Sequence, residues 1–159
     1  PFDQMILLAP RHPERFDEVE QLLKKMNVIF ARSKDQQNID QVQVLLINEM
    51  GVLPKYYSSA DCTIVGGSFI PKIGGHNLLE PILYGSIPLF GPWTEKQEHQ
   101  KSFLNEHGVG FCLEVEEIKI RVEEILKDQD RLLSQKEKMV ELRTQMQRPL
   151  KATLECLSF

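Results

Sequence analysis

The chain has 159 residues, 42% of them hydrophobic, enough for one globular domain with a core of its own. A net charge of -4 at pH 7 without any Lys/Arg cluster gives no reason to expect a nucleic-acid partner. The longest apolar runs, such as Met5 to Ala9 and Val44 to Ile47, fall far short of the ~20 residues that cross a bilayer.

The opening PFDQMILLAP has no cleavable signal pattern and enters a strand almost at once, which reads as an excised piece of a longer protein. Met5 to Ala9 predicts a buried strand ending at Pro10. Pro13 suits the first position of a helix with Glu14, Asp17 and Glu18 at its start and Lys24 and Lys25 at its end. Phe16, Val19, Leu23 and Met26 share one face of it. Val28 to Ala31 and Val42 to Ile47 predict strands separated by an exposed loop over 33–41, and Gly51 precedes a short helix through Tyr56 and Ala60. Cys62 to Val65 predicts a buried strand that delivers the chain into GGSFIPKIGGHNLLEP, residues 66–81. Leu78 to Tyr84 follows as a helix closed by Gly85, and Ile87 to Phe90 as a strand. Thr94 with Gln97 three residues on predicts a capping box for a helix running to His107 and stopped by Gly108. Gly110 to Val115 is the last strand, and the tail 116–159 is helical by the spacing of residues such as Ile118, Val122 and Ile125.

Six strands alternating with helices predict an α/β doubly wound, Rossmann-like domain over 1–159. Its six-stranded sheet is mostly parallel, because parallel neighbours need helical crossovers. Such sheets bind ligands at the carboxyl ends of their strands, which directs attention to the segments after Ala9, Ile47, Val65 and Phe90. The three cysteines, Cys62, Cys112 and Cys156, are odd in number and far apart with no C-x-x-C spacing, and they read as reduced core thiols rather than a disulfide frame or zinc site.

No G-x-x-x-x-G-K-[ST], G-x-G-x-x-G or G-x-S-x-G is present, so neither a P-loop, nor an ordinary dinucleotide fingerprint, nor a Ser68 hydrolase nucleophile is supported. What remains is a strand, a Gly66-Gly67-Ser68 turn, an excursion through Lys72, and Gly74-Gly75-His76-Asn77 at the mouth of a helix. Glycine lets a ligand approach the main chain, and the free amides of a helix start favour phosphate or carboxylate oxygens. Glu80, in the first helical turn, can accept hydrogen bonds from a pair of sugar hydroxyls, so phosphate on the amides and ribose on Glu80 would describe a nucleotide. Structural roles stand beside each of these. Glycine pairs serve tight turns, Glu80 can complement the helix dipole or cap before Pro81, and His76 and Asn77 can belong to core or cap. Arg11 and His12 can cap the next helix, Lys72 can be a plain surface lysine or touch substrate charge, and His99 and His107 read as solvated.

APRHPERF (9–16), Gly51 with its tyrosine-containing turn and Ala60-Asp61, VGGSF (65–69), GGHNLLEP (74–81) and LFGP (89–92) together resemble the 3-deoxy-D-manno-octulosonic acid (Kdo) transferases of lipopolysaccharide biosynthesis. The resemblance is to the C-terminal half of enzymes with the two-domain GT-B glycosyltransferase fold. It implies a domain that binds the donor CMP-Kdo without a metal or other cofactor, Kdo being transferred to a lipid A precursor at the cytoplasmic face of the bacterial inner membrane. It implies that the acceptor site, the membrane-associating surface and the catalytic base lie in an N-terminal domain, so that this piece would be soluble and inactive by itself. Residue by residue, Arg11 and His12 would lie near the cytidine and phosphate and Gly51 would line the nucleotide site. Gly67 and Ser68 would approach the phosphate and sugar acid, Gly74, Gly75, His76 and Asn77 would form the helix mouth, and Glu80 would hold the ribose. The segment Trp93-Thr94-Glu95-Lys96-Gln97 matches no part of that pattern. Two other functions stay open at this point: a nucleotide-sugar epimerase or hydrolase of related fold, which would need an acid/base pair from His76 and Glu80, and a non-catalytic binding module with a purely structural glycine loop.

Overall fold

A computed structural model describes residues 4–35, 41–75 and 77–157, with side chains through residue 146. The chain falls into two compact units, Pro1–Tyr56 and Tyr57–Phe159. In the first, β1 (Ile6–Leu8), β2 (Phe30–Arg32) and β3 (Val44–Leu46) form a parallel sheet in the order β1-β3-β2. The middle strand is buried throughout, and its alternation feeds two layers. Val44 and Leu46 pack with Leu23 and Val19 of α1 (Phe16–Lys25), while Leu45, with Ala31 and Ile47, packs with Val52 and Tyr56. Tyr56 belongs to α2 (Leu53–Tyr57). β1, expected to be buried, is an edge strand, and Ile6 is 61% exposed. Pro13 opens a single 3-10 turn, Pro13–Arg15, before α1 begins, and α1 stops at Asn27, whose φ of 54° only a short polar side chain adopts easily. Met26 therefore sits past the last turn and is exposed, off the face expected for it. Glu20, nearly enclosed, ties α1 to β2 through ion pairs with Lys24 and Arg32. Residues 36–40 of the expected loop lie outside the described residues.

The second unit holds β4 (Cys62–Val65), β5 (Ile87–Phe90) and β6 (Phe111–Cys112), parallel and ordered β4-β5-β6. The six expected strands are thus all present and every described pairing is parallel, but hydrogen bonding groups them as two sheets of three where the sequence reading drew one. β5 is buried at every position, and Leu89 and Phe90 centre a core with Ile82, Leu104, Ile125 and Met139. α3 (Glu80–Leu83) ends before Gly85 (φ 83°), and α4 (Glu98–His107) ends at Gly108 (φ 61°), left-handed positions that favour glycine. β6 is shorter than expected at both ends: Gly110 (φ 76°) turns the chain tightly against Pro88, and a 3-10 turn, Val115–Glu117, already begins where the strand is expected to end.

The helical tail is two helices, α5 (Ile118–Lys127) and α6 (Gln129–Leu157), broken at Asp128, whose carboxylate accepts a hydrogen bond from the Arg131 N–H at 2.9 Å. α6 is fastened to the unit by the Lys136–Asp61 ion pair (2.7 Å), by Gln135 Nε2 donating to the Gly108 carbonyl (3.2 Å) and by buried Met139 and Leu142. The thiols do not share one environment as expected. Cys62 is half-buried, Cys112 on the edge strand β6 is exposed, and the Cys156 side chain lies outside the described residues.

Candidate functional site

The glycine-rich segment leaves the carboxyl end of β4 as one 3-10 turn, Gly66–Phe69. Ser68 is fully buried there, and its hydroxyl donates to the Val65 carbonyl (2.5 Å) and accepts from the Gly91 N–H (2.8 Å). Its own carbonyl accepts from the Trp93 N–H (3.0 Å). Ser68 therefore fastens the ends of β4 and β5 to one another, and its side-chain hydrogen bonds are spent on that task. Gly91 lets this happen, since a Cβ there would stand 2.5 Å from the Ser68 carbonyl oxygen.

The excursion then runs out and back. Ile70, Lys72 and Ile73 are exposed, and Lys72 takes a left-handed φ of 68°, uncommon for a side chain of its length. On its return the chain crosses itself, the Gly74 carbonyl oxygen lying where a Cβ of Gly67 would come within 2.4 Å. Gly74 is buried with φ 71°, and Gly75 is buried against Leu78, Ser68 and Val65. His76 lies outside the described residues.

The helix expected from Leu78 begins only at Glu80 and is four residues long, so its dipole is small. Two amides at its approach already have acceptors. Leu78 N–H donates to Gln100 Oε1 at 2.7 Å, and Leu79 N–H donates to Asn77 Oδ1 at 3.0 Å. Asn77 thus makes a local side-chain turn two residues ahead, with Leu79 as the N-cap. Among the described residues no group accepts a hydrogen bond from the N–H of Gly74, Gly75 or Asn77, and none donates to the half-buried Glu80 carboxylate. Glu80 does act on its surroundings. The Tyr57 hydroxyl, stacked with Tyr84 at 5.9 Å, is pushed up to about 12 by burial first and by the Glu80 charge second.

The Trp93–Gln97 segment adjoins Gly74. The Trp93 carbonyl and Gln97 Oε1 lie 3.6 and 3.7 Å from the place of a Gly74 Cβ. The Thr94–Gln97 capping box does not form, because a 3-10 turn, Glu95–Gln97, intervenes before α4 and the Thr94 side chain makes no cap hydrogen bond. The box that does form is Glu114 with Glu117, ahead of α5. Sequence reasoning missed both this adjacency and Gln100. No local pattern signals a side chain that satisfies an amide 22 positions earlier.

In the first unit, Arg11 and His12 follow β1 and are exposed. His12 precedes the 3-10 turn without a side-chain cap and stands 3.6 Å from Glu14. Gly51 is exposed with φ 77° and open space around it. His99 is exposed as expected, while His107 is half-buried with Nδ1 2.8 Å from the Phe103 carbonyl. Among the described residues there is no group of three metal-ligating side chains, and no helix is long and apolar enough to cross a membrane.

No protein-family model matches the chain. Among curated proteins it is 38% identical over 129 residues to the 3-deoxy-D-manno-octulosonic acid transferase of Chlamydia muridarum, a match covering 80% of this chain and 30% of that protein. It is 35% identical over 136 residues to the enzyme of the same name from Aquifex aeolicus, covering 86% of this chain and 36% of that protein. The chain therefore spans about a third of the length of these relatives. Among solved structures it is similar to the C-terminal CMP-Kdo binding domain of WaaA from Acinetobacter baumannii. That match has a TM-score of 0.73 and 28% identity, and it covers 86% of this chain and 73% of that one.

Proposed function

We propose, from the premise that this chain is homologous to the C-terminal part of the Kdo transferases, that it is the donor-binding domain of a CMP-Kdo-dependent glycosyltransferase. The observation that carries the reading is that, among the described residues, the Gly74, Gly75 and Asn77 amides at the carboxyl end of the β4–β5 pair have no acceptor and the Glu80 carboxylate that follows has no donor. Preorganised N–H donors stabilise phosphate oxygens, most of all as charge develops on a departing CMP, and a carboxylate is the natural acceptor for a ribose diol. Gly67 and Ser68 serve this reading by holding the crossing that aims the amides, and Lys72 stands free to meet substrate charge. The family resemblance extends the proposal to Arg11, His12 and Gly51 for the nucleotide and to His76 at the helix mouth.

On the same premise the acceptor is a lipid A precursor, and the base that takes its hydroxyl proton belongs to an N-terminal domain of a longer enzyme at the cytoplasmic face of the inner membrane. Phosphate stabilisation by amides and side chains needs no metal, so a chelator should leave binding intact. The epimerase or hydrolase reading is not favoured, since the relatives above are named as transferases.

Titration calorimetry on this chain tests the reading. CMP should bind more tightly than UDP, and the chain alone should transfer no sugar. Preference for UDP, or turnover by the chain alone, would overturn the assignment.

A further inference from the structure

Beside the cradle the second unit holds two polar atoms without a partner among the described residues. Thr94 is 0% exposed with its hydroxyl unpaired there, and Gln97 Oε1 is likewise shut from solvent and unpaired. An unsatisfied buried polar group costs the folded state free energy, and two within four residues call for a cause. Both belong to the segment that packs on Gly74, where Gln97 Oε1 and the Trp93 carbonyl oxygen face the glycine at 3.7 and 3.6 Å from its missing Cβ.

The chemistry of this patch is mixed. The Gly74 and Gly75 amides only donate, the Trp93 and Gln97 oxygens only accept, and the Thr94 hydroxyl does both. A phosphate on the amides leaves the Trp93 and Gln97 oxygens without a donor, since a phosphate oxygen only accepts. A sugar hydroxyl beside that phosphate suits them, donating to the Gln97 or Trp93 oxygen and accepting from the Thr94 hydroxyl. Resting on the donor-binding reading, we infer that Thr94 and Gln97 take the hydroxyls of the transferred sugar, and so set preference for the sugar nucleotide over the bare nucleotide.

Calorimetry with CMP and with freshly prepared CMP-Kdo tests this on Thr94→Val, Thr94→Ser and Gln97→Leu. The parent should bind CMP-Kdo more tightly than CMP. Thr94→Val and Gln97→Leu should each cut that preference about tenfold while leaving the CMP Kd within about twofold, the loss of one or two hydrogen bonds to the sugar alone. Thr94→Ser keeps the hydroxyl and should keep most of the preference. Thr94→Val should melt no lower than the parent, because valine has the same shape and removes an unpaired hydroxyl. A parent without preference for CMP-Kdo, variants that keep the preference, variants that weaken CMP and CMP-Kdo alike, or a Thr94→Val protein that melts several degrees lower would each overturn the inference. A parent that binds neither ligand would remove the donor-site reading itself, whereas a parent that binds both beside unaltered variants removes this inference alone.

Discussion

Gly67→Ala probes the chain crossing that shapes the cradle. A methyl group there would sit 2.4 Å from the Gly74 carbonyl oxygen and 3.3 Å from Ile73 Cγ2. Restoring ordinary contact at ~3.4 Å requires the two backbones to part by about 1 Å, because the nearer partner is a main-chain carbonyl and not the free end of a side chain. Overpacking of this kind costs about 1–3 kcal/mol, which is survivable for a domain stable by roughly 5–15 kcal/mol. At about 2–4 °C per kcal/mol for a chain of this size, Tm should fall by about 2–12 °C. The Gly74 and Gly75 amides move with the displaced carbonyl, so the loss of a charge-assisted hydrogen bond should weaken CMP at least about tenfold. Gly66→Ala is the stability control, since a Cβ at Gly66 meets nothing within 4 Å. Circular dichroism melts and calorimetry on the two variants read both effects. A Gly67→Ala protein that melts with Gly66→Ala and binds CMP as the parent does would refute the crossing as the element that aims the amides.

Glu80→Gln should weaken CMP about tenfold while leaving 2′-deoxy-CMP nearly unchanged, because only the diol uses the carboxylate charge; equal losses on both nucleotides would remove Glu80 from the ribose. The Tyr57 hydroxyl, raised to about 12, makes the folded state hold its proton longer than the unfolded chain does, so its contribution to stability is whole below pH ~10 and is lost as pH rises through about 12. Between pH 9 and 12 the melting temperature of the parent should fall relative to that of Tyr57→Phe, which has no phenol to ionise, and parallel curves would contradict this. Burial, with the Asp61 charge second, pushes the Cys62 thiol up to about 11 and leaves little thiolate at pH 8. Iodoacetamide followed by peptide mapping should therefore find the exposed Cys112 modified well before Cys62.

Where local pattern and tertiary packing agree, the sequence was legible. β4 and β5 have the expected bounds because each is a short apolar run ending in a turn, and β5 is covered on both sides. α3 was drawn two residues too early at its start because Leu78 and Leu79 look like the first helical turn, yet their amides go to Gln100 and Asn77 side chains instead. The capping-box pattern points to Thr94 and Gln97, but the reciprocal hydrogen bonds form at Glu114 and Glu117, where a glutamate stands in the place of the usual Ser or Thr. The Trp93–Gln97 segment matches no family pattern, and its residues suggest a helix cap rather than a site. What marks it is a pair of unpaired buried oxygens, a property of packing that no spacing encodes.

The glycines sort differently once the backbone is in view. Gly67 is required by the Gly74 carbonyl, Gly74 by its own positive φ, and Gly75 by Leu78, Ser68 and Val65 crowding its open side. Those three are needed by the protein itself, and Gly66, with an ordinary φ and free space, by nothing among the described residues. Glycine content alone is therefore a poor guide to ligand approach here. The case for a bound phosphate rests on what the crossing leaves over: N–H groups at Gly74, Gly75 and Asn77 with no acceptor among the described residues. A turn built only to connect β4 to α3 would be expected to pair the amides of the buried Gly74 and Gly75, as it paired the two at Leu78 and Leu79.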